Sequence, residues 1–168
     1  MIPDDYPQDR IGRCEAQPGP LRQMLRQGKE MASDSAPAVR FDCSAAELVE
    51  IDDLASDLMI PIASERVQAV LLKHCPRDIQ FVDVRIVARD RDVPGFKILN
   101  AINTVRAIDY SRSEIVRIQG TDKILKFRRL ALRAGSLGTH MLAREEDYRS
   151  HLLIAEPLRQ LLSALRLR

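Results

Sequence analysis

The chain has 168 residues, enough for one domain with flanking segments, and 45% of them are apolar, with no Trp, three Tyr and four Phe. Its 26 basic residues against 24 acidic ones leave a formal net charge of +2, too little to argue by itself for nucleic acid or an acidic membrane. Cys14, Cys43 and Cys75 form an odd set without paired spacing, which weighs against a disulfide framework or a zinc site and points to a reducing compartment.

No window reaches the roughly 18 apolar residues that a membrane span needs. Near the start, Ile2, Tyr6 and Ile11 stand isolated among charges and prolines, where a secretory core would need a run. A cytoplasmic protein without a membrane partner is expected.

Residues 1–38 read as a loose extension and linker. They hold Pro3, Pro7, Pro18 and Pro20, and the helical spacing of Leu21, Met24 and Leu25 stops at Gly28. Structure is expected to start near Val39, leaving 39–168 as a single domain. Ser44 and Glu47 fit a capping box for a short helix through Leu48 and Ile51. Met59, Ile60 and Ile62 read as a strand. Ser64 then caps a helix whose face is Val67, Val70, Leu71 and His74, closed by Pro76.

Strand patterns dominate from there. Ile79 to Ala88 alternates, with Val82, Val84, Ile86 and Ala88 on one face. Phe96 to Val105 is apolar on both faces, which places it centrally in a sheet. Glu114 to Gln119 and Ile124 to Leu132 form two more strands around a turn at Gly120-Thr121-Asp122. A change of apolar phase between Phe127 and Leu130 predicts a bulge. His140 to Ala143 is a short strand, followed by Leu152 to Ile154. The last helix has Pro157 in its first turn, an apolar face of Leu158, Leu161, Leu162 and Leu165, and Arg166 and Arg168 at its end. Met59 to Leu71 and Leu152 to Leu162 echo one another as strand, Ile-Ala, acidic residue and helix. The pattern is α+β, a largely antiparallel sheet with two main helices packed on it.

Candidate chemistry is sparse. His74, beside Cys75, has no second ligand at metal spacing and reads as structural, and His140 and His151 read as surface or strand-end residues. Ser136 lacks the spacing of a nucleophile elbow. The seven glycines form no phosphate loop. Asp52-Asp53 and Glu145-Glu146-Asp147 read as polar turns where water keeps the carboxylates ionised. No catalytic residue, cofactor site or metal site is assigned, and an enzyme is not expected.

Two charged surfaces remain. From Asp42 to Glu65 the chain carries acids without one Lys or Arg, and Glu47, Glu50, Asp52, Asp53 and Asp57 are the candidate docking residues for a basic partner. Opposed to them, Arg117, Lys123, Lys126, Arg128 and Arg129 lie across two strands with Arg133 beyond. That basic face is the alternative, a nucleic-acid-binding or regulatory surface, although stacking aromatics are nearly missing and weigh against nucleic acid. A solvated strand face protected by charge explains the same pattern, and a plain solvated face explains the acidic run.

An ordered series of short motifs carries a resemblance. Asp53-Leu54 is followed by Ile62-Ala63-Ser64-Glu65-Arg66, Ile79 to Val84, Phe96 to Asn100, Ile108-Asp109 with Ser113-Glu114, and Leu153-Ile154-Ala155-Glu156. Over about two thirds of the chain this series resembles bacterial polymorphic-toxin immunity protein family eleven. The resemblance implies an immunity-like domain that binds and neutralises a cognate protein toxin encoded nearby, without catalysis or cofactor. It transfers no interface residues. Asp109 and Ser113 match the motif, and their expected role is to turn the backbone. Association of two copies through an uncovered edge strand is a further expectation.

Overall fold

Four consecutive buried residues, Ile98, Leu99, Asn100 and Ala101, mark the middle of the molecule. A strand buried on both faces needs cover on each side. The computed structural model, which describes residues 7–15, 18–31, 36–165 and 167, supplies that cover from both ends of the chain.

A 3-10 turn at Gln8–Arg10 leads to β1 (Arg13–Cys14), α1 (Pro18–Arg26), β2 (Ala38–Arg40) and α2 (Ala45–Leu48). Next come β3 (Asp53–Leu54), β4 (Ile62–Ala63), α3 (Glu65–His74), β5 (Ile79–Asp83), β6 (Arg85–Val87) and β7 (Asp92–Val93). The central strand is β8 (Lys97–Ala101), followed by β9 (Thr104–Val105), β10 (Glu114–Arg117) and β11 (Ile124–Arg129). The chain closes with β12 (Leu142–Glu145), β13 (Leu152–Ile154) and α4 (Glu156–Ala164). The class is α+β. The expected single sheet is instead four small ones, ordered β3-β4-β8-β5, β1-β2-β6-β7, β13-β12-β9 and β10-β11. Most pairs are antiparallel, while β2 with β6 and β9 with β12 run parallel.

Alternation along the central sheet sorts the core into two. Ile62, Val82 and Ile98 face a cluster with Leu25, Val39, Phe41, Leu48 and Ile86. Ala63, Ile79, Leu99 and Ala101 face the other way, onto Val67, Leu71, Leu142 and Leu158. Successive side chains on a strand point to opposite faces, so β4, β5 and β8 each contribute to both clusters. The helices α3 and α4 cover the second face.

The expectation that structure starts near Val39 fails for the described residues before it. Strand β1 pairs with β2, and Leu25 of α1 is wholly buried. Helix α1 ends in a Schellman motif: Gly28 N–H bonds Leu25 O at 3.1 Å and Lys29 N–H bonds Met24 O at 3.2 Å. The next residues run over the central sheet. Asn100 Nδ2 donates to Lys29 O at 2.8 Å, and Gln80 Nε2 donates to Met31 O at 2.7 Å while its Oε1 accepts from Met31 N at 2.9 Å. A local pattern could not reveal this, because the apolar residues of α1 are few and their partners are distant. The linker expected over 33–37 lies partly outside the described residues.

Helix α3 keeps its expected boundaries, with Ser64 Oγ accepting from Val67 N at 3.5 Å. The capping box at α2 also forms, although that helix is a single turn. Met59 belongs to no strand; it sits in a left-handed turn at φ 54°. Ile79 to Ala88 divides at Val84, β5 pairing with β8 and β6 with β2. Leu158 is buried on α4, and Arg66 Nη2 donates to Leu165 O at 2.6 Å beyond its last turn. Arg166 and Arg168, expected to serve that end, lie outside the described residues. The two echoing strand-to-helix units are real, but β4 belongs to the central sheet and β13 to the three-stranded one. No helix among the described residues is long and apolar enough to cross a membrane.

Candidate functional site

The acidic run does not form one open surface. Glu47 Oε2 accepts from Ser44 N at 2.9 Å and Ser44 Oγ at 2.7 Å, bonds that hold its carboxyl below the usual value. Asp52 is only 4% exposed; it accepts from Ser64 Oγ at 2.7 Å and faces Arg66 Nη1 at 3.2 Å. Asp53 Oδ1 accepts from Ile62 N at 3.2 Å, fixing the β3–β4 turn. Asp57 Oδ1 accepts from Cys14 N at 3.0 Å and so fastens β1. Glu47, Asp52, Asp53 and Asp57 thus serve the chain's own donors. Glu50 lies on an open cleft of about 550 Å³, which Val49, Asp52, Glu65, Arg66 and Phe96 also line.

Neither expected acidic turn is simply solvated. Asp52 is buried at the first, and Glu145 is 2% exposed at the second. Glu145 Oε2 accepts from Ala107 N at 2.8 Å and Ile108 N at 3.2 Å, and its Oε1 accepts from Asp147 N at 3.1 Å. Three N–H donors do for this carboxylate what water would have done. Its neighbour Arg144 is as deeply buried. Arg144 donates to Ala101 O at 3.0 Å and Arg149 O at 2.9 Å, while its Nη2 has no hydrogen-bond partner among the described residues. Burial, with Arg26 adding repulsion, lowers this guanidinium to about 10. The sequence offered no signal for either residue, since the strand read as ending at Ala143 and Glu145 read as part of a solvated polar turn.

His140 is more than a strand-end residue. Its Nδ1 lies 2.7 Å from Asp78 Oδ1, and Asp78 also accepts from Asn103 Nδ2 at 2.9 Å, Met141 N at 2.7 Å and Leu142 N at 3.2 Å. The carboxylate holds the loop before β12 in place. His151 packs with Tyr148, ring centres 4.5 Å apart, and both lie against Phe127. Among the described residues no group of three or more His, Cys, Asp or Glu is arranged to hold a metal ion.

The basic residues are gathered as expected, on the two-stranded ribbon β10–β11. Glu114 pairs with Arg129 and Ile115 with Phe127, so Arg128 is the extra residue of a bulge at the place where the apolar phase changes. A second irregularity falls at Leu125. Arg117, Lys123, Lys126, Arg128 and Arg129 are all exposed. Arg129 meets Glu114 across the strands at 3.4 Å, and Arg117 donates to Asp122 O. Lys123, Lys126 and Arg128 make no ion pair with a described residue. At the foot of the ribbon, Ser113 Oγ donates to Ala131 O at 3.2 Å and accepts from Ala131 N at 3.0 Å. Asp109 Oδ1 accepts from Ser111 N at 3.1 Å and Ser111 Oγ at 2.7 Å. Asp109 turns the backbone, as expected, whereas Ser113 ties the start of β10 to the chain just after β11.

No protein-family model matches the chain, and no characterised protein matches it at a significant level.

Proposed function

We propose that this chain is an immunity-type binding protein that neutralises a cognate toxin, encoded nearby, by stoichiometric contact in the cytoplasm of the bacterium that makes it. One observation supports the reading: motifs scattered over about a hundred residues of sequence meet on one scaffold. Asp53-Leu54 is β3, Ile62 to Arg66 spans β4 and the start of α3, Ile79 to Val84 spans β5, and Phe96 to Asn100 spans most of β8. These strands are neighbours in the central sheet, and the Leu153 to Glu156 motif opens α4, which packs on α3. Apart from Ile108-Asp109 with Ser113-Glu114, which leads into β10, the series that resembles a binding family thereby lies on the central sheet and the two helices beside it.

The test is genetic and biochemical. Co-expression should rescue cells from the C-terminal domain of a large secreted protein encoded beside this gene, and the two proteins should co-purify in a fixed ratio. A folded protein that neither rescues nor co-purifies refutes the reading.

A further inference from the structure

Charge and exposed apolar surface are concentrated in one segment. Residues 112–133 carry seven basic and two acidic side chains, a net of +5 in a chain of net +2, so all other residues together sum to −3. Large apolar side chains left exposed follow the same distribution. Of the eleven among the described residues, Ile118, Leu125, Leu130 and Leu132 fall here, and Tyr110 stands just before them. Leu125 is 54% exposed, next to Lys126. A two-stranded ribbon is marginal in water by itself, and this one is held to the body through Phe127, Ile124 and, at its foot, the bonds from Arg133 N to Ala107 O at 2.8 Å and from Asp109 N to Ala131 O at 2.9 Å.

We propose that the β10–β11 ribbon is the surface on which the partner docks, and that the partner is a protein whose matching face is acidic around an apolar centre. This assignment rests on the binding-protein reading above and moves its interface away from the acidic run. Exposed aliphatic side chains gain from burial against other apolar surface, whereas a phosphate backbone would engage the cations alone. Four such side chains among the cations therefore favour a protein over a nucleic acid. A second copy of this chain is a poor occupant, because Glu47, Asp52, Asp53 and Asp57 are already bonded within it. Lys123, Lys126 and Arg128 are left to steer the encounter, and Leu125 to hold the complex once formed.

Full-length Lys126→Glu/Arg128→Glu and Leu125→Ser variants test this, each first checked for a wild-type melt. Should the double Glu variant melt early, Lys126→Ala/Arg128→Ala replaces it. Binding kinetics are measured against the purified toxin domain encoded beside the gene, and against a short mixed-sequence DNA duplex over a salt series. The charge variant should slow association with the toxin domain about tenfold at low salt, and Leu125→Ser should speed its dissociation by a similar factor. Toxin binding unchanged in both variants overturns the ribbon interface and leaves the binding-protein reading standing. A wild-type chain that ignores the toxin domain overturns both. Steeply salt-dependent duplex binding without toxin binding replaces the protein partner by nucleic acid.

Discussion

Replacing Gly28 by alanine strikes the point where α1 is fastened to the central sheet. Gly28 has φ +67°, in the left-handed region that costs an L-residue roughly 1–2 kcal/mol. Space is also lacking, since an added Cβ would stand 2.7 Å from Ala101 O and 3.2 Å from Arg144 Cδ. That carbonyl belongs to β8, in the middle of the sheet, and Leu25 anchors α1 in the core, so neither side yields easily. Overpacking of this kind adds about 1–3 kcal/mol. The combined loss is about 2–5 kcal/mol, or roughly 5–15 °C in Tm for a chain of this size. Gly120→Ala separates the two contributions: φ is +77° there, but nothing lies within 4 Å of the new Cβ. Only the backbone cost of roughly 1–2 kcal/mol should remain. Urea melts of both variants, read at equal m-values, decide the matter. If Gly28→Ala costs no more than Gly120→Ala, the packing of α1 against β8 and Arg144 is not a determinant of stability.

Two further outcomes follow from buried carboxylates. Glu145→Ala deprives the N–H groups of Ala107, Ile108 and Asp147 of their acceptor. It should cost about 3 kcal/mol or more by denaturant melt, and a loss below about 1 kcal/mol would mean that water replaces the carboxylate easily. Burial alone would raise the carboxyl of Asp78, but bonds from His140, Met141 N and Leu142 N outweigh it and hold the group below its ordinary value. Its folded pKa lies below the unfolded one, so the stabilisation is present above about pH 3.9 and is lost as pH falls through the folded value. Asp78→Asn should lower Tm at neutral pH and flatten its decline in acid. A Tm–pH curve parallel to wild type throughout would refute that role.

Elements governed by neighbours in sequence were legible. Ser64, Lys73, His74 and Pro76 bracket α3, Ser44 and Glu47 cap α2, and Pro157 opens α4; each acts within a turn or two of itself. The centrality of β8 was legible because a strand with apolar residues on both faces must be covered on both sides. The bulge at Arg128 showed as a change of phase. What could not be read was partnership at a distance. Val84 interrupts no alternation, yet the chain changes sheets there, since period-2 patterning says which face is buried and not which strand lies alongside. Asp52 and Glu145 looked solvated because Ser64 stands 12 residues from the first, and Ala107 and Ile108 stand 38 and 37 from the second. The same blindness made residues 21–31 look loose, since Leu25 packs in a cluster with Val82 and Ile98 and Lys29 and Met31 bond Asn100 and Gln80.

These distant partnerships also bear on where a partner should bind. A carboxylate that accepts a buried N–H or hydroxyl lost much of its water at folding, and a substitution there removes fold stability along with charge. Asp52 is in that position, so slower association in its variants would not by itself locate an interface. The side chains of Lys126 and Arg128 form no ion pair with a described residue, and their replacement leaves the pairing of donors and acceptors inside the fold untouched. Charge at such positions is still hydrated and still projects into solvent, where steering acts. A total of +2 conceals the local excess, because residues 112–133 sum to +5 and all other residues to −3. The side chains best placed to recognise another molecule are therefore those on which the fold makes no demand, and Lys123, Lys126 and Arg128 of the ribbon are of that kind.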